Sequence, residues 1–528
     1  MKVACPPGYR TDLPPVAPEP FWFYGENIRF RMGMPETIGL YIKAYARDTG
    51  EPVVFPAVEK TATLYGDANF LMLGHGDQLT ILRWDNGVRV TVPTPLAGGY
   101  GRWWFAATET EVICGRSNFN GKTYVVNRGT LTVTLLPNAP EGSMGGGIVA
   151  GILIQAGTDG FAGDSPKMVV RWSARRTDPS SSGGPGGPFG FEDWTPSDLN
   201  ASGEFLLDEG SEIRGGASTQ FGFMVWTDTR AILLAPRNDL YVFTKSVVSL
   251  RGILSSHAWV ESDGRLWWFD QTRTLNFFDG GGGRQVMNPM RHVSTEIISD
   301  EDLDLCFMSS DIENGEVILH YPDKDGFFRE LVYNYMEDAW YSFALDRISM
   351  TDAHGDRPTI GLDQSGQVYF YDIREALLSS ITMPKNPPAP FHPPVPFKDP
   401  RVFPVIPSRA VPVLPEPFSF FLMTNWIAPS DTTLESLRTR NIVVSHTTAT
   451  IPGAEPGADQ LYVAVQSYGK LDLAEDPVLD FDQRPMGQML RELRAGGKVI
   501  QLVLAAKDIR THIAFAPVDV EADVSGKR

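Results

Sequence analysis

Cysteine, basic charge and long apolar runs are what this chain has least of. Its 528 residues hold three cysteines, Cys5, Cys114 and Cys306, widely separated and without a C-x-x-C pair. Neither a disulfide framework nor a structural zinc site organises such a sequence, and the thiols read as buried or free in a reducing compartment. The longest apolar stretch, IVAGILI at 148–154, is far too short to span a bilayer. The opening MKVACPPGYRTDLPP lacks the apolar core of a signal peptide, so a soluble chain without a membrane span is expected. Lys and Arg number 46 against 64 Asp and Glu, for a net charge of -18. A protein that grips nucleic acid by neutralising phosphates needs the opposite balance. An acidic chain is nevertheless compatible with nucleic acid that slides past it.

Turn-forming residues are plentiful, with 51 Gly and 41 Pro set among short hydrophobic segments. That pattern predicts many strands joined by many turns. From about Glu59 to Asp372 the strand signals include FLML (70–73), LTILRW (79–84), VRVTV (88–92), TYVVN (123–127), TLTVTLL (130–136), MVVRWS (168–173), FGFMVWT (221–227), AILLA (231–235), RLWWFD (265–270), TLNFFD (274–279), EVILHY (316–321), RELVYNY (329–335) and QVYFYD (367–372). Between them fall Asp85-Asn86-Gly87, Asn120-Gly121, Asn127-Arg128-Gly129, Asp263-Gly264, Glu313-Asn314-Gly315, Asp325-Gly326 and Ser365-Gly366, signals of which Asn-Gly and Asp-Gly tolerate the positive φ of hairpin turns. No amphipathic helix interrupts the region. Units near 60–95, 100–137, 146–212, 216–250, 256–290, 300–345 and 349–372 recur about every 35 to 50 residues, which predicts four-stranded blades around an axis, a β-propeller. No blade carries a WD or kelch signature, and a pair of β-sandwiches is the alternative.

Outside the blades the composition changes. RRTDPSSSGGPGGPFGFEDW at 175–194 is too rich in Ser, Gly and Pro to bury a core and is expected to be an exposed loop. Proline recurs every two or three residues from about 384 to 417, as in an extended polyproline connector. Beyond it, NIVVSHTTATI, QLYVAVQSY and VIQLVLAA read as strands, and Met486, Met489, Leu490 and Leu493 share one face of a short helix ended by Gly496-Gly497. The expected fold class is all-β: a propeller over 58–380, a proline-rich connector over 384–420, and a β-rich platform domain built from residues 1–57 and 421–528.

Candidate chemistry is sparse. Gly280–Gly283 in LWWFDQTRTLNFFDGGGGRQV invites a phosphate-loop reading. A Walker loop, however, needs Lys-Ser/Thr and a helix after its last glycine, where this chain has Arg284-Gln285 and then a proline. An exit turn from one blade towards the next is expected instead, with Leu266–Asp270 and Thr274–Asp279 pairing before it, replacement of Gly281 or Gly282 by alanine costing stability or assembly, and Arg284 unexplained. Asp323-Lys324-Asp325-Gly326 opens like a calcium loop but has its glycine two positions early and Asn334 where the closing glutamate belongs. A hairpin tip accounts for it. Asp300-Glu301-Asp302 with Asp304, and Asp352, His354 and Asp356, read as solvated loops unless they converge. Trp103-Trp104, Trp267-Trp268, Phe277-Phe278 and Phe327-Phe328 would line a sugar-binding surface or pack the core. Adjacent strand residues face opposite sides, which favours packing. There is no G-x-S-x-G, no H-E-x-x-H and no paired His and Cys at a recognisable offset. No catalytic, metal or cofactor site is expected.

The order of elements carries a family resemblance. VVRWSA (169–174), DWTPSDLNASGEFLLDEGSEIRGG (193–216), HAWVESDGRLWWFDQTRTLNFFDGGGGRQV (257–286) and NGEVILHYPDKDGFFRELVYNYMEDAWYSFALDR (314–347), with ENIRFRMGMPETIGLY (26–41) near the start, resemble the tail nozzle proteins of short-tailed double-stranded DNA bacteriophages. Those proteins are called tail tubular protein B or packaged-DNA stabilisation protein in different phages. The resemblance covers about half the chain, and the loop at 175–192 and the proline-rich connector depart from it. It implies a propeller joined to a platform domain, assembled as a homo-hexameric ring below the adaptor, or head-to-tail connector. Such a ring retains and conducts the DNA and offers its outer surface to tail fibres, spikes or needles. The chain would then be a structural, non-enzymatic part of the virion tail, made in the host cytoplasm. The alternative is a carbohydrate-active propeller enzyme acting on a cell-envelope polysaccharide, and a propeller serving as a protein-binding platform is a third expectation.

Overall fold

The computed structural model describes residues 2–525 apart from 45–51, 176–190, 352–358, 374–417, 428–435, 450–459, 469–477, 486–495 and several shorter stretches. Most of the Ser/Gly/Pro-rich insert, the proline-rich connector, the helix expected around Met486, Met489, Leu490 and Leu493, and Asp352, His354 and Asp356 lie outside the described residues.

Seven four-stranded antiparallel sheets form a β-propeller. Blades one to six occupy 63–93, 103–135, 145–206, 213–249, 259–285 and 307–343, each built from consecutive strands. Blade seven takes three strands, Ser349–Thr351, Ile360–Leu362 and Val368–Ile373, and its fourth is Leu40–Lys43 from before blade one. The expected boundary at residue 57 is therefore corrected, because residues 40–43 lie inside the propeller. Val53 and Phe55 are also buried against it, with the Phe55 N–H donating to Gly366 O at 2.8 Å. This late pairing of an early strand joins the two ends of the circle, so no blade is left with an open flank.

The first strand of each blade lies nearest the axis, and in blades three and four, GGGIV and IRGGAST, it is short of bulk for a steric reason. A Cβ at Gly145 in blade three would sit 2.2 Å from Gly216 O in blade four, and one at Gly146 would meet the Trp104 ring at 2.6 Å. The aromatic pairs do much of the packing, at the hub and away from it. Trp103, Trp104, Trp267 and Trp268 are all buried. In the register of blade five, Trp267 faces Phe277 and Trp268 faces Asn276, so the two indoles go to opposite faces. Phe327 departs from the pattern, being 59% exposed at a hairpin tip while Phe328 is buried.

At the expected turns Gly264, Gly315, Gly326 and Gly366 take positive φ, whereas Gly121 and Gly129 do not. Asp263 and Gly264 take φ of 50° and 68°, the pair of positive values that a type I′ hairpin needs. The glycine run connects Leu275–Phe278 to Arg284–Gln285, the third and fourth strands of blade five. It is thus a turn within a blade, not the exit from one blade to the next.

Strands before and after the propeller share sheets. Trp22–Glu26 pairs with Phe418–Thr424, which pairs with Val499–Ile509, and Gln460–Tyr468 and Val478–Pro485 continue the sheet. Met34–Thr37 joins Ile28–Arg31 to His512–Phe515, and Lys2–Val3 lies beside Val518–Ser525. The N-terminal strands also pack on the outermost strand of blade six, Ala339–Phe343. There the Tyr9 N–H donates to Trp340 O at 2.8 Å, and the Phe30 ring lies 5.9 Å from Tyr341.

Candidate functional site

Two regions concentrate buried polar chemistry: the hub at the propeller axis and the joint between the N-terminal strands and blade six. At the hub, Arg102 immediately precedes the inner strand of blade two and is 1% exposed. Its Nε donates to Leu305 O at 3.2 Å, Nη1 to Ala62 O at 3.0 Å and Ile348 O at 2.9 Å, and Nη2 to Lys60 O at 3.3 Å and Leu305 O at 2.7 Å. All the N–H groups a guanidinium possesses are thereby used, and the carbonyls belong to the approaches to blades one, six and seven. Phe307 underlies the cation at 4.3 Å. Burial pulls Arg102 down to about 9, with Cys306 acting weakly the other way, so the group is charged at neutral pH.

His257, preceding the inner strand of blade five, completes the hub. Its Nε2 donates to Trp103 O at 2.9 Å, which leaves Nδ1 to accept from Ser256 Oγ, also at 2.9 Å. Burial and then the Arg102 charge lower it to about 3, so it is a neutral spacer. Behind these residues is an axial cavity of about 270 Å³, walled by inner-strand residues such as Thr63, Met144, Gly146, Ser218, Trp259 and Met350. None of the residues lining it is Asp or Glu. A void of that size holds roughly nine waters at about 30 Å³ each, and a nucleic-acid duplex cannot pass along the axis of one propeller.

The joint is built on Asn27, Arg29 and Glu316. Asn27 adopts φ of 59°, a left-handed value its short side chain tolerates. Its N–H donates to Ser342 O and its Oδ1 accepts from the Ala344 N–H. Arg29, 3% exposed, sets Nε 3.1 Å from Glu316 Oε1, with Asp311 4.0 Å away. Tyr341 donates to the same Glu316 oxygen at 2.6 Å. At the rim, Glu337 accepts from the Met32 and Gly33 N–H groups at 2.8 and 3.0 Å, and Arg329 reaches Glu26 at 2.9 Å. A buried ion pair this well bonded fixes one register of docking rather than adding much net stability.

The acidic clusters singled out in the sequence have separate fates. Asp323 Oδ1 accepts from the Asp325 and Phe327 N–H groups and Oδ2 from Arg329 at 2.8 Å, so its oxygens shape a hairpin tip. Asp300 is paired with Arg273, and Asp304 lies 3.8 Å from Arg214. Among the described residues no group of three or more His, Cys, Asp or Glu is placed to hold a metal ion, and no helix is long and apolar enough to cross a membrane. Cys114 and Cys306 are buried free thiols. Arg284 is 64% exposed in its side chain, 3.8 Å from Asp279 and 5.9 Å from the Phe277 ring. Its surroundings are those of a surface hairpin, with no phosphate cradle.

No family model matches the chain, and no curated protein matches it in sequence. Solved structures similar to it include BamB from Moraxella catarrhalis, at 8% identity over 67% of this chain and 98% of that one, TM-score 0.37. AztD from Citrobacter koseri is similar at 9% identity over 63% and 95%, TM-score 0.36. The computationally designed Ika8 protein follows at 11% identity over 60% and 99%, TM-score 0.33. The propeller itself rests on the strand pairing described above.

Neither Arg102 nor His257 stands out in the sequence. Apart from Ser256 beside His257, their partners are backbone carbonyls as many as 246 positions away, and no local pattern encodes such contacts. Glu316 and Glu337 fall within the resembling segment 314–347, but their role emerges only where the N-terminal strands meet them.

Proposed function

We propose that this chain is a tail nozzle subunit of a short-tailed double-stranded DNA phage. In this reading it forms a ring of copies, six by the family resemblance, that continues the tail channel below the adaptor, retains packaged DNA and conducts it during ejection. The observation that carries the reading is the convergence of two of the segments that bear the resemblance. Residues 26–41 and 314–347 meet in the buried joint through Arg29 and Glu316, Asn27 and Ser342, and Gly33 and Glu337.

Other features support it. Strands from before and after the propeller share sheets, as the platform of such proteins requires. The hub closes the axis of the single propeller, so a channel for DNA is bounded by several copies rather than bored through one. An acidic balance of -18 limits phosphate contacts, and each contact avoided removes a salt-dependent brake on a moving duplex.

The enzyme alternative needs a convergent carboxylate pair. Neither the axial cavity nor the shallow groove between the outer strands of blades four and five, lined by Val247, Leu250, Arg251, Asn276, Gly283 and Gln285, presents an Asp or Glu.

The test is assembly on a portal–adaptor complex, followed by electron microscopy and mass measurement. A ring of copies below the adaptor is expected. A chain that stays monomeric with the complex present, or turns over an envelope polysaccharide, overturns the proposal.

A further inference from the structure

Blade six contains a buried chain of polar groups that neither the hub nor the joint uses. The strand register sets Phe307 opposite His320 and His320 opposite Glu330, and these side chains meet blade seven at the seam. Ser309 Oγ is 2.7 Å from His320 Nε2, and His320 Nδ1 is 3.4 Å from Glu330 Oε1. Tyr371 of blade seven donates to Glu330 Oε2 at 3.4 Å. Arg347, in the connection between the two blades, sets Nη1 3.5 Å from Glu330 Oε1 and lies over the rings of Tyr371 at 4.0 Å and Tyr41 at 5.4 Å. Gly361 makes room for it, since a Cβ there would be 2.8 Å from Arg347 Cδ. His320 stacks on Phe307 with ring centroids 4.2 Å apart. His320 and Glu330 are both 0% exposed.

The connectivity is that of a nucleophile, base and carboxylate relay, but the charges forbid that use. A relay needs an ionised carboxylate to support a transient imidazolium. An imidazolium at His320 would be desolvated and would face the Arg347 and Arg102 cations. A carboxylate at Glu330 would be cut off from water with only the Arg347 ion pair at 3.5 Å, the Tyr371 hydroxyl and the more distant Arg29 in its favour, and Arg29 is already engaged by Glu316 and Asp311. We propose that the seam between blades six and seven is a proton-balanced latch. The proton that the unfolded chain carries on His320 in mild acid is carried on Glu330 once the seam closes, so the pair enters the fold uncharged.

The balance has a sharp consequence for pH. Burial, against the Arg347 charge and the Tyr371 hydrogen bond, raises Glu330 from 4.5 to about 7. Its contribution to stability is therefore complete below 4.5 and is lost as pH rises through the folded value. Burial and the two arginines lower His320 from 6.5. Its contribution is complete above 6.5 and is lost as pH falls. Between 4.5 and 6.5 folded and unfolded forms of the pair hold one proton each, and the two slopes cancel.

Hydrogen exchange of the amides in Glu316–Pro322 and Phe328–Asn334, corrected for the intrinsic pH dependence, tests this. Relative to wild type, Glu330→Gln is expected to make the opening equilibrium about tenfold less favourable to opening per unit of rising pH across this window. His320→Gln is expected to show the opposite slope of the same size, and the double variant to run parallel to wild type. A single variant that tracks wild type through the window overturns the latch. Should either single variant fail to fold, infrared spectroscopy of the wild type at about pH 6 replaces it. A protonated-carboxyl band that shifts in Tyr371→Phe supports the proposal, and its absence overturns it.

Discussion

Removing the Arg102 guanidinium tests whether the hub holds the propeller together. In Arg102→Met the apolar stem survives and the charged fork is lost, leaving Lys60, Ala62, Leu305 and Ile348 carbonyls without their donor. An acceptor stranded by deletion of its partner costs about 1–3 kcal/mol. Water from the adjoining cavity of about 270 Å³ can reach some of these carbonyls, so the lower bound is the appropriate one. Four acceptors at ~1 kcal/mol each give a loss of about 4 kcal/mol. Arg102→Lys retains a cation, but an ammonium has three N–H donors and lacks the planar fork, so an intermediate loss is expected. Urea unfolding followed by tryptophan fluorescence reads both, with Trp103 next to the substitution as a reporter. A loss for Arg102→Met below about 1 kcal/mol would show that the bonds are incidental and refute the reasoning.

The glycines separate by what a Cβ would meet. Gly282→Ala meets nothing within 4 Å and Gly281→Ala only Asp279 Oδ1 at 3.4 Å, so both should stay within about 0.5 kcal/mol of wild type in thermal unfolding. Gly145→Ala drives a Cβ to 2.2 Å from a backbone oxygen and should cost about 3 kcal/mol or more. At the joint, Arg29→Met strands the buried Glu316 and should lose about 3–5 kcal/mol, most of it recovered in the double variant with Glu316→Gln. A double-mutant cycle in urea measures the coupling. Burial alone would raise Asp323, but the hydrogen bonds from Arg329, Phe327 and Asp325 outweigh it and hold the group below its ordinary 3.8. Its stabilisation is present above that value and lost as pH falls through the folded one, so Asp323→Asn should flatten the acid limb of a stability profile.

The sequence was most informative where side chains are large and strands alternate or are wholly apolar. Segments such as RLWWFD, TLNFFD and EVILHY lie where expected because their aromatic and branched residues fill the space between blades. The inner strands GGGIV, IRGGAST and FMSSD escaped notice. The close approach of blade four excludes a side chain at Gly145 and Gly147, and small residues weaken the strand signal. The glycine run is the turn its composition implies, but it lies within blade five, and the members that resist a Cβ are not Gly281 and Gly282. Gly280 carries φ of 96° and Gly283 lies against Ser249, whereas Gly281 and Gly282 are permissive. The hub and the latch were invisible, since each depends on which blades become neighbours.

The strand that closes the circle has a consequence for the order of events during synthesis. Leu40–Lys43 leaves the ribosome long before its partner Val368–Ile373 exists. Six blades can stack while it waits, but the circle cannot shut until more than three hundred further residues have been made. The strands just upstream, Trp22–Glu26 and Met34–Thr37, wait longer still for partners that follow residue 417. Closure of the propeller and completion of the shared sheets are thus the last acts of one nascent chain. A truncation at either end should leave the blades formed and the circle or its shared sheets unfinished.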